Sequence, residues 1–586
     1  MAFLRKWLAH PKLGRYLAAI AVLLTLPALF HGYEVDDRLQ RIKVLRHGKF
    51  AYLAQGVDAL YTFIDGDPKL TAALIEAGIA TWWSDVNARI AFLRPITSFN
   101  LWLDHRYVNV AWLSHLQSVV WYLGTIFVAL ALYRRLIQRP WVAGLAALMF
   151  TVDHTHGLAA AWIAQRNTLI AGLFGLLTLY FHDRARRDAG REREAFFAAT
   201  CLGLALFSAE GGLGVLPYLL AHAWFFDRER LGRSLWPYAP PVLVWALVYK
   251  LGGYGTHGSG MYVDPGDAPL SYFSQTLHHA PLLVATGLGM PGVDFYPFLP
   301  AYAKIALVTF AVVGTTMFLI TIRPLLRQNA ESRFFVLSGL LSILPACATL
   351  PSGRLTFLCS FGLLGALAQI IEAWRDPASW FPRQGWIRLC AIPVVLWCGL
   401  GHLFLSPIAF VFSMHQMTIF EKIVARLAQG LPNDPKLESQ RMIVVNPPEP
   451  AFCAYVMVVR SDDGLPTPRG MLSMSSGARP LELKRIDDST LILSSQIGLV
   501  QPGVDLLARD NRPFVVGETV KFSDLSIEVT RVGTSGWPLE AKFMFAKPLE
   551  NESYTWMQWK DQTLVPLTLP KVGETLSFPA QVIQLL

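Results

Sequence analysis

The sequence predicts a polytopic α-helical membrane protein closed by a C-terminal, mostly β domain. Of 586 residues, 53% are apolar and only 16% charged, against about a quarter charged in a soluble domain. Mean hydropathy is +0.38. The apolar residues gather in runs near the ~20 that a bilayer demands, until strand-like alternation replaces them after residue 440. The net charge of +9 sits in short basic clusters between those runs, which is topology signal rather than a nucleic-acid stripe, so no nucleic-acid partner is expected. Six cysteines form no CxxC pair and five lie in apolar runs; they read as core hydrophobes, not a disulfide framework or zinc site.

Arg5, Lys6, Lys12 and Arg15 precede the first apolar run, 16–32. It ends without a clean small-residue cleavage site, so it reads as a retained helix with its basic flank in the cytoplasm. Further runs fall at about 108–133, 141–158, 159–182, 195–209, 212–226, 235–251, 301–322, 334–350, 355–374 and 387–407. Arginines cluster at 134–139, 184–193, 228–233, 323–333 and at Arg375, Arg383 and Arg388, whereas 252–300 holds none. This alternation predicts eleven spans, provided the Pro- and Gly-rich stretch 270–300 is re-entrant or surface-lying. The expected placement is the bacterial inner membrane, with the N-terminus inside and the C-terminus in the periplasm.

Residues 1–407 then form the membrane domain, whose long first outer loop (33–107) carries Trp82 and Trp83, suited to helices lying in the interface. Residues 408–440 read as an interfacial helix and linker, from Ile419, Ile423, Val424 and Leu427 at helical spacing. Residues 441–586 alternate as strands, for example over 526–532 and 540–545, between Gly and Pro turns.

Polar residues collect where the spans meet the outer side. YEVDDR at 33–38 places Asp36 and Asp37 at the mouth of the first span, where a rigid helix end suits a general base; a solvated helix cap is the plainer reading. FLRPITSFN at 92–100 precedes the second span, FTVDHTHG at 150–157 joins the third and fourth, and AWIAQRNTLI follows at 161–170. Arg166 falls one to two turns inside the apolar zone, where an unpaired guanidinium is expensive. LFSAEGGLG at 206–214 puts Glu210 at another outer turn. Pairing of Arg166 with Glu210 to pin helices is the structural alternative. Asp36, Asp37, Arg94, His156, Arg166, Glu210 and Arg354 all map to one side, none at the midplane, and are expected to line one outward-facing polar cavity.

In this order the elements resemble the GT-C superfamily of lipid-phosphosugar glycosyltransferases, most of all the protein O-mannosyltransferases and the transmembrane and tetratricopeptide-repeat O-mannosyltransferases. Asp36-Asp37 matches their acidic pair after the first helix, and Arg94-Pro95 their Arg-Pro opening of the second. Of their His-Pro-x-His turn running into Trp-Ile-x-x-Arg, this chain keeps His156, Trp162, Ile163 and Arg166, with Asp153 and His154 at the first two places. Ser208-Ala209-Glu210 stands where they carry Ser-Lys-Glu, and residues 351–354, PSGR, match a later Arg motif. The similarity covers residues 1–405. The lost lysine removes one charge from the phosphate pocket, and the β domain replaces the repeats of those relatives, so acceptor choice does not carry over.

The resemblance implies a sugar donor carried on polyprenyl phosphate in the membrane lipid, and a protein, glycan or lipid acceptor hydroxyl, joined in one inverting displacement. Asp37 or Asp36 is then the base; Arg94, Arg166 and Arg354 steady the phosphate, as their planar forks suit, with His156 and Glu210 also at the substrate. Cations that meet charge growing on the departing phosphate favour the transition state. No cofactor is expected to be required; a divalent metal at Asp36 and Asp37, as in some relatives, is the alternative, though the sequence offers no full ligand set. Two other classes compete. A secondary transporter would show midplane ionisable groups and internal repeats, and neither is visible. A non-catalytic scaffold stays open because of Ala209 and the altered histidine turn.

Overall fold

The computed structural model describes residues 2–376, 385–477, 479–501, 505, 507–509 and 512–580. Among them, six helical segments are long and apolar enough to cross a membrane: Leu13–Phe30, Ala111–Leu136, Ala301–Gln328, Ala330–Ala348, Gly353–Arg375 and Trp386–Gly430. Helices also occupy the other five expected runs, but Pro140–Thr151, Glu194–Leu206, Leu216–Phe226 and Ala239–Leu251 have only 11 to 13 residues. Arg166–Arg187 is 22 residues long, with basic residues at its start and in its last turn. Six of the eleven expected spans thus coincide with helices long and apolar enough to cross, and the other five with shorter or more charged helices. Tight 3-10 turns at His154–His156, Ile163–Gln165 and Glu210–Val215 break the runs. The stretch read as re-entrant or surface-lying contains an α-helix, Pro269–Gly287, exposed in its first half and buried over 282–287, and a 3-10 turn at Val293–Phe298.

Exposed apolar side chains such as Leu243, Leu247, Ile305 and Val313 face outward, as lipid-facing helices require. The bundle interior is a continuous cluster running from Leu17 through Tyr133 and Phe150 to Phe361. The basic clusters meet at one end of it. There Arg5 pairs with Asp376 (3.0 Å), Arg139 with Glu372 (2.6 Å), Arg135 with Asp183 (2.6 Å) and Arg186 with Asp227 (2.6 Å); Arg383 lies outside the described residues. Ser114 and Arg135 stand near opposite ends of one 26-residue helix, about 30 Å apart at 1.5 Å per residue. The acidic pair and its surroundings gather at the Ser114 end.

Residues 33–107, expected as the first outer loop, fold into a short helix, Asp36–Leu45, the helices Pro68–Ala77 and Pro95–Leu103, and two antiparallel strands, Thr62–Asp65 and Arg89–Ala91, extended by Gly255–His257. The C-terminal region holds a six-stranded antiparallel sheet in the order Thr575–Phe578, Leu481–Arg485, Thr490–Ser494, Pro538–Phe545, Leu525–Val532, Thr519–Lys521. Leu525, Ile527 and Val529 point inward in strict alternation. A second, four-stranded sheet adds what the strand pattern did not predict. Its strands Arg441–Val444 and Gly470–Ser473 run parallel, joined by the helix Pro450–Asp462. Every residue of those two strands is buried, as a parallel pair covered on both faces demands.

Trp82 and Trp83 do not lie in a membrane interface. They are 1% and 0% exposed, in one core with Ile527, Phe543 and Phe514 of the C-terminal sheet. Trp83 Nε1 donates to Asp505 Oδ2 at 2.5 Å, and Trp82 Nε1 to the Met474 carbonyl at 3.4 Å. Two large rings fill more volume inside a sheet core than they cover at a surface, so tertiary burial overrides the interfacial pattern. Nearby, the guanidinium of Arg441 joins Glu76 of the loop to Asp524 of the β region. Trp83→Ala is expected to cost about 3–5 kcal/mol and to strip Asp505 Oδ2 of its indole donor; thermal unfolding of the purified protein in detergent checks this, and an unchanged midpoint would sink the shared-core assignment.

Candidate functional site

The acidic pair opens a helix. Asp36 and Asp37 occupy the first turn of Asp36–Leu45, where negative charge complements the helix dipole. The preceding Val35 has φ 52°, a conformation that costs a β-branched residue about 1–3 kcal/mol. It is held from both sides: Val35 N–H donates to Glu421 Oε2 (3.0 Å), and Trp162 Nε1 donates to the Glu34 carbonyl (3.3 Å). Chain segments some 130 and 390 residues distant therefore force the turn that aims the pair.

The two carboxylates then part company. Asp37 is 0% exposed, and both its oxygens are taken by backbone amides: Ala164 N–H on Oδ1 (2.7 Å) and Glu34 N–H on Oδ2 (3.1 Å). Burial and the adjacent Glu34 carboxyl raise its pKa well above the usual range, against those two amides. These two bonds make Asp37 a clamp between residues 34–37 and the turn after Trp162. Asp36 is half-buried. The phenol of Tyr455, from the helix Pro450–Asp462, donates to its Oδ1, which leaves Oδ2 for another partner. Burial raises Asp36, while the Tyr455 hydrogen bond and the charges of Arg354 and Lys43 pull it down.

Arg354 is, with Lys43, one of the two cations whose charge acts on Asp36. Its turn, Gly353–Thr356, is pinned by Asp294, whose Oδ1 accepts from Ser352 Oγ (2.6 Å) and Gly353 N–H (3.1 Å). The half-buried guanidinium lies 5.8 Å over the Trp162 ring. Among the described residues it makes no ion pair or hydrogen bond, so its donors are free for an anion.

The other arginines are engaged. Arg166 is 0% exposed and lies 2.9 Å from Asp104 Oδ2; its nitrogens donate to Ser118 Oγ (3.0 Å), Asn100 Oδ1 (3.0 Å), the Ser114 carbonyl (2.6 Å) and Gln117 Oε1. All three of its nitrogens are engaged, so it braces the helices around it. Its partner is Asp104, not Glu210. Glu210 instead accepts from Arg94 Nε (2.8 Å), and Arg94 lies over the rings of Phe92 (4.5 Å) and Tyr61 (4.9 Å). Tyr61 ties this pair to the clamp: its hydroxyl donates to the carbonyl of Ala164 (2.7 Å), the residue whose N–H holds Asp37. His156 is fully buried, packed 4.5 Å from the rings of both Phe150 and Phe357, with Nδ1 3.4 Å from the Tyr122 hydroxyl. Its Nε2 has no hydrogen-bond partner among the described residues.

The structure thus brings Asp36, Asp37 and Arg354 together around Trp162, sets Arg94–Glu210 alongside through Tyr61, and leaves Arg166 and His156 in the supporting interior. Asp104, Tyr61 and Tyr455 escaped the sequence reading. A buried arginine demands a carboxylate, a signal that could have found Asp104 although the sequence reading offered Glu210 instead; nothing in the sequence pointed to Tyr455. Each Asp37 oxygen already accepts from a backbone amide, and among the described residues no group of three or more His, Cys, Asp or Glu side chains stands together as a ligand set. The arrangement can accept a proton at Asp36 and hold an anion at Arg354.

No protein-family model matches the chain, and no curated protein matches it by sequence. Among solved structures, it is similar to the Archaeoglobus fulgidus oligosaccharyltransferase in the apo form, at 10% identity and TM-score 0.38, over 80% of this chain and 65% of that one. It is also similar to ArnT from Cupriavidus metallidurans bound to undecaprenyl phosphate, at 13% identity and TM-score 0.34, over 78% of this chain and 89% of that one. The chain thus spans about two-thirds of the archaeal enzyme.

Proposed function

We propose that the protein is a multi-pass membrane glycosyltransferase that moves a sugar from a polyprenyl-phosphate donor to an acceptor hydroxyl, with inversion. The observation that carries this reading is Asp36 with an uncommitted oxygen beside Arg354 with an uncommitted guanidinium, at the end of an apolar bundle opposite the basic clusters. The motif order shared with GT-C glycosyltransferases supports it.

In the proposed reaction Asp36 Oδ2 takes the proton of the acceptor hydroxyl as its oxygen attacks the anomeric carbon. The bond from that carbon to the phosphate oxygen breaks on the opposite face, and its electron pair stays with the phosphate. Arg354 meets the charge that grows there, which favours the transition state over the ground state. Burial helps the base: a carboxyl raised from its ordinary value is a stronger proton acceptor, provided it remains ionised at the working pH. The periplasmic placement belongs to this proposal too. No step runs through a metal.

Mass spectrometry of envelope glycans and glycoproteins from cells with and without the gene tests the reading, a lost sugar supporting it and unchanged profiles overturning it. Purified protein that binds the prenyl-phosphosugar yet never transfers it would mark the scaffold alternative. Arg354→Ala is expected to weaken binding of polyprenyl phosphate by about 10–100-fold, the worth of a charge-assisted hydrogen bond. Titration calorimetry in detergent measures this; wild-type affinity in the variant would remove Arg354 from the phosphate site.

A further inference from the structure

We infer that the C-terminal region completes the active centre, with Tyr455 as a positioning residue that holds Asp36 by its phenol and turns the free carboxylate oxygen toward Arg354. This rests on the assignment of Asp36 as base. It goes further in giving the C-terminal region a part in the chemistry.

The geometry is built from several independent contacts. Tyr455 lies on the helix Pro450–Asp462, and its hydroxyl donates to Asp36 Oδ1. Its ring is fixed edge-on by Phe420, 5.7 Å away at 88°. The same helix is locked to the Asp36–Leu45 helix at its far end. Asp462, whose side chain is 0% exposed, accepts from Arg38 (3.1 Å) and Arg41 (2.7 Å) and lies 3.0 Å from His47, while Asp463 accepts from Arg38 (2.8 Å). Glu421 closes the arrangement from a third helix, Gln416–Gly430, by accepting from Arg38 Nε (2.7 Å) and Val35 N–H (3.0 Å). Three helices from separate parts of the chain thus set the distance between Tyr455 and Asp36. A carboxylate restrained at one oxygen by a rigid donor keeps its rotamer, and the second oxygen stays aimed.

The charged groups facing this point are Lys43 on the same helix, Arg354 from its turn, Asp37 and Glu34 alongside, and Glu421 and Arg38 behind the phenol. Of the neighbours that favour the Asp36 anion, the Tyr455 hydrogen bond acts most strongly, ahead of Arg354 and Lys43. Loss of the phenol therefore raises the Asp36 pKa. The base is active only when deprotonated, so the acid limb of kcat/KM moves to higher pH.

The test is the pH profile of sugar transfer by full-length protein in detergent, with a prenyl-phosphosugar as probe. Tyr455→Phe keeps the ring and its contact with Phe420. It is expected to move the acid limb up by roughly one to two pH units, the worth of a hydrogen bond to a charged group, and to lower kcat with donor KM unchanged. 3-Fluorotyrosine at 455, a stronger donor, is expected to move the limb down, and it decides the matter should Tyr455→Phe fail to fold. An acid limb unmoved by either replacement overturns the inference and leaves Tyr455 as packing. Asp36→Asn separates the two levels. Wild-type turnover there defeats the base assignment itself, whereas an inactive Asp36→Asn with unmoved Tyr455 profiles defeats only the role of Tyr455.

Discussion

Asp36→Asn is expected to abolish sugar transfer, by about 10²–10⁴-fold in rate, the usual worth of a general base, while donor affinity and thermal stability stay near wild type. The amide keeps the shape of the side chain and can still accept from Tyr455, so what is lost is proton acceptance. Asp37 differs, because its oxygens serve the fold. Asp37→Ala leaves the N–H groups of Ala164 and Glu34 buried without acceptors, at about 1–3 kcal/mol each. Its expected signature is a lowered unfolding midpoint together with weakened activity. Measuring turnover, donor binding and melting on both variants separates base from clamp, and the reverse pattern would exchange their roles.

The second large effect is on stability. Arg166→Ala is expected to destabilise the protein by about 3–5 kcal/mol, because it strands Asp104 as an uncompensated buried charge and removes the donor from Ser114, Ser118, Asn100 and Gln117 at once. Such a loss is comparable with a large share of a folded protein's net stability, so yield in membranes should fall sharply. Replacing both charges with apolar residues of similar volume, Arg166→Met with Asp104→Leu, is expected to recover part of it, since a removed pair costs less than a broken one. Melting curves of the single and double variants check this. A single variant that melts like the wild type would mean that Asp104 finds another cation or water.

Much of the helical half was legible because its signals are local. Apolar runs predicted where helices lie, and the arginine clusters predicted which ends meet, because a cation between apolar runs must reach a polar end of the bundle. The strands Leu525–Val532 and Pro538–Phe545 were legible for the same reason, a period of two with one buried face. The helix Pro450–Asp462 was missed because its residues are buried almost all round, which erases the amphipathic period that marks a surface helix.

The site was legible as a list of residues and not as an arrangement. Composition and order alone selected Asp36, Asp37, Arg94, Arg166, Glu210 and Arg354, because charged groups beside apolar runs are costly and therefore informative. Which of them is free could be decided only in three dimensions. Adjacent residues on a helix point about 100° apart, so Asp36 meets Tyr455 while Asp37 meets two amides. The fork of Arg166 closes on Asp104, and Arg354 is left with an aromatic face beneath it. These outcomes depend on partners as far as 419 residues away in the chain. The sequence by itself determined the apolar bundle, its basic end and the residue types at the opposite end, since burial preference and helix period act over a few residues. Only the tertiary structure decided which carboxylate keeps an open oxygen and which cation keeps its donors, because hydrogen-bond saturation is settled by whatever packs against a side chain, not by its neighbours in sequence.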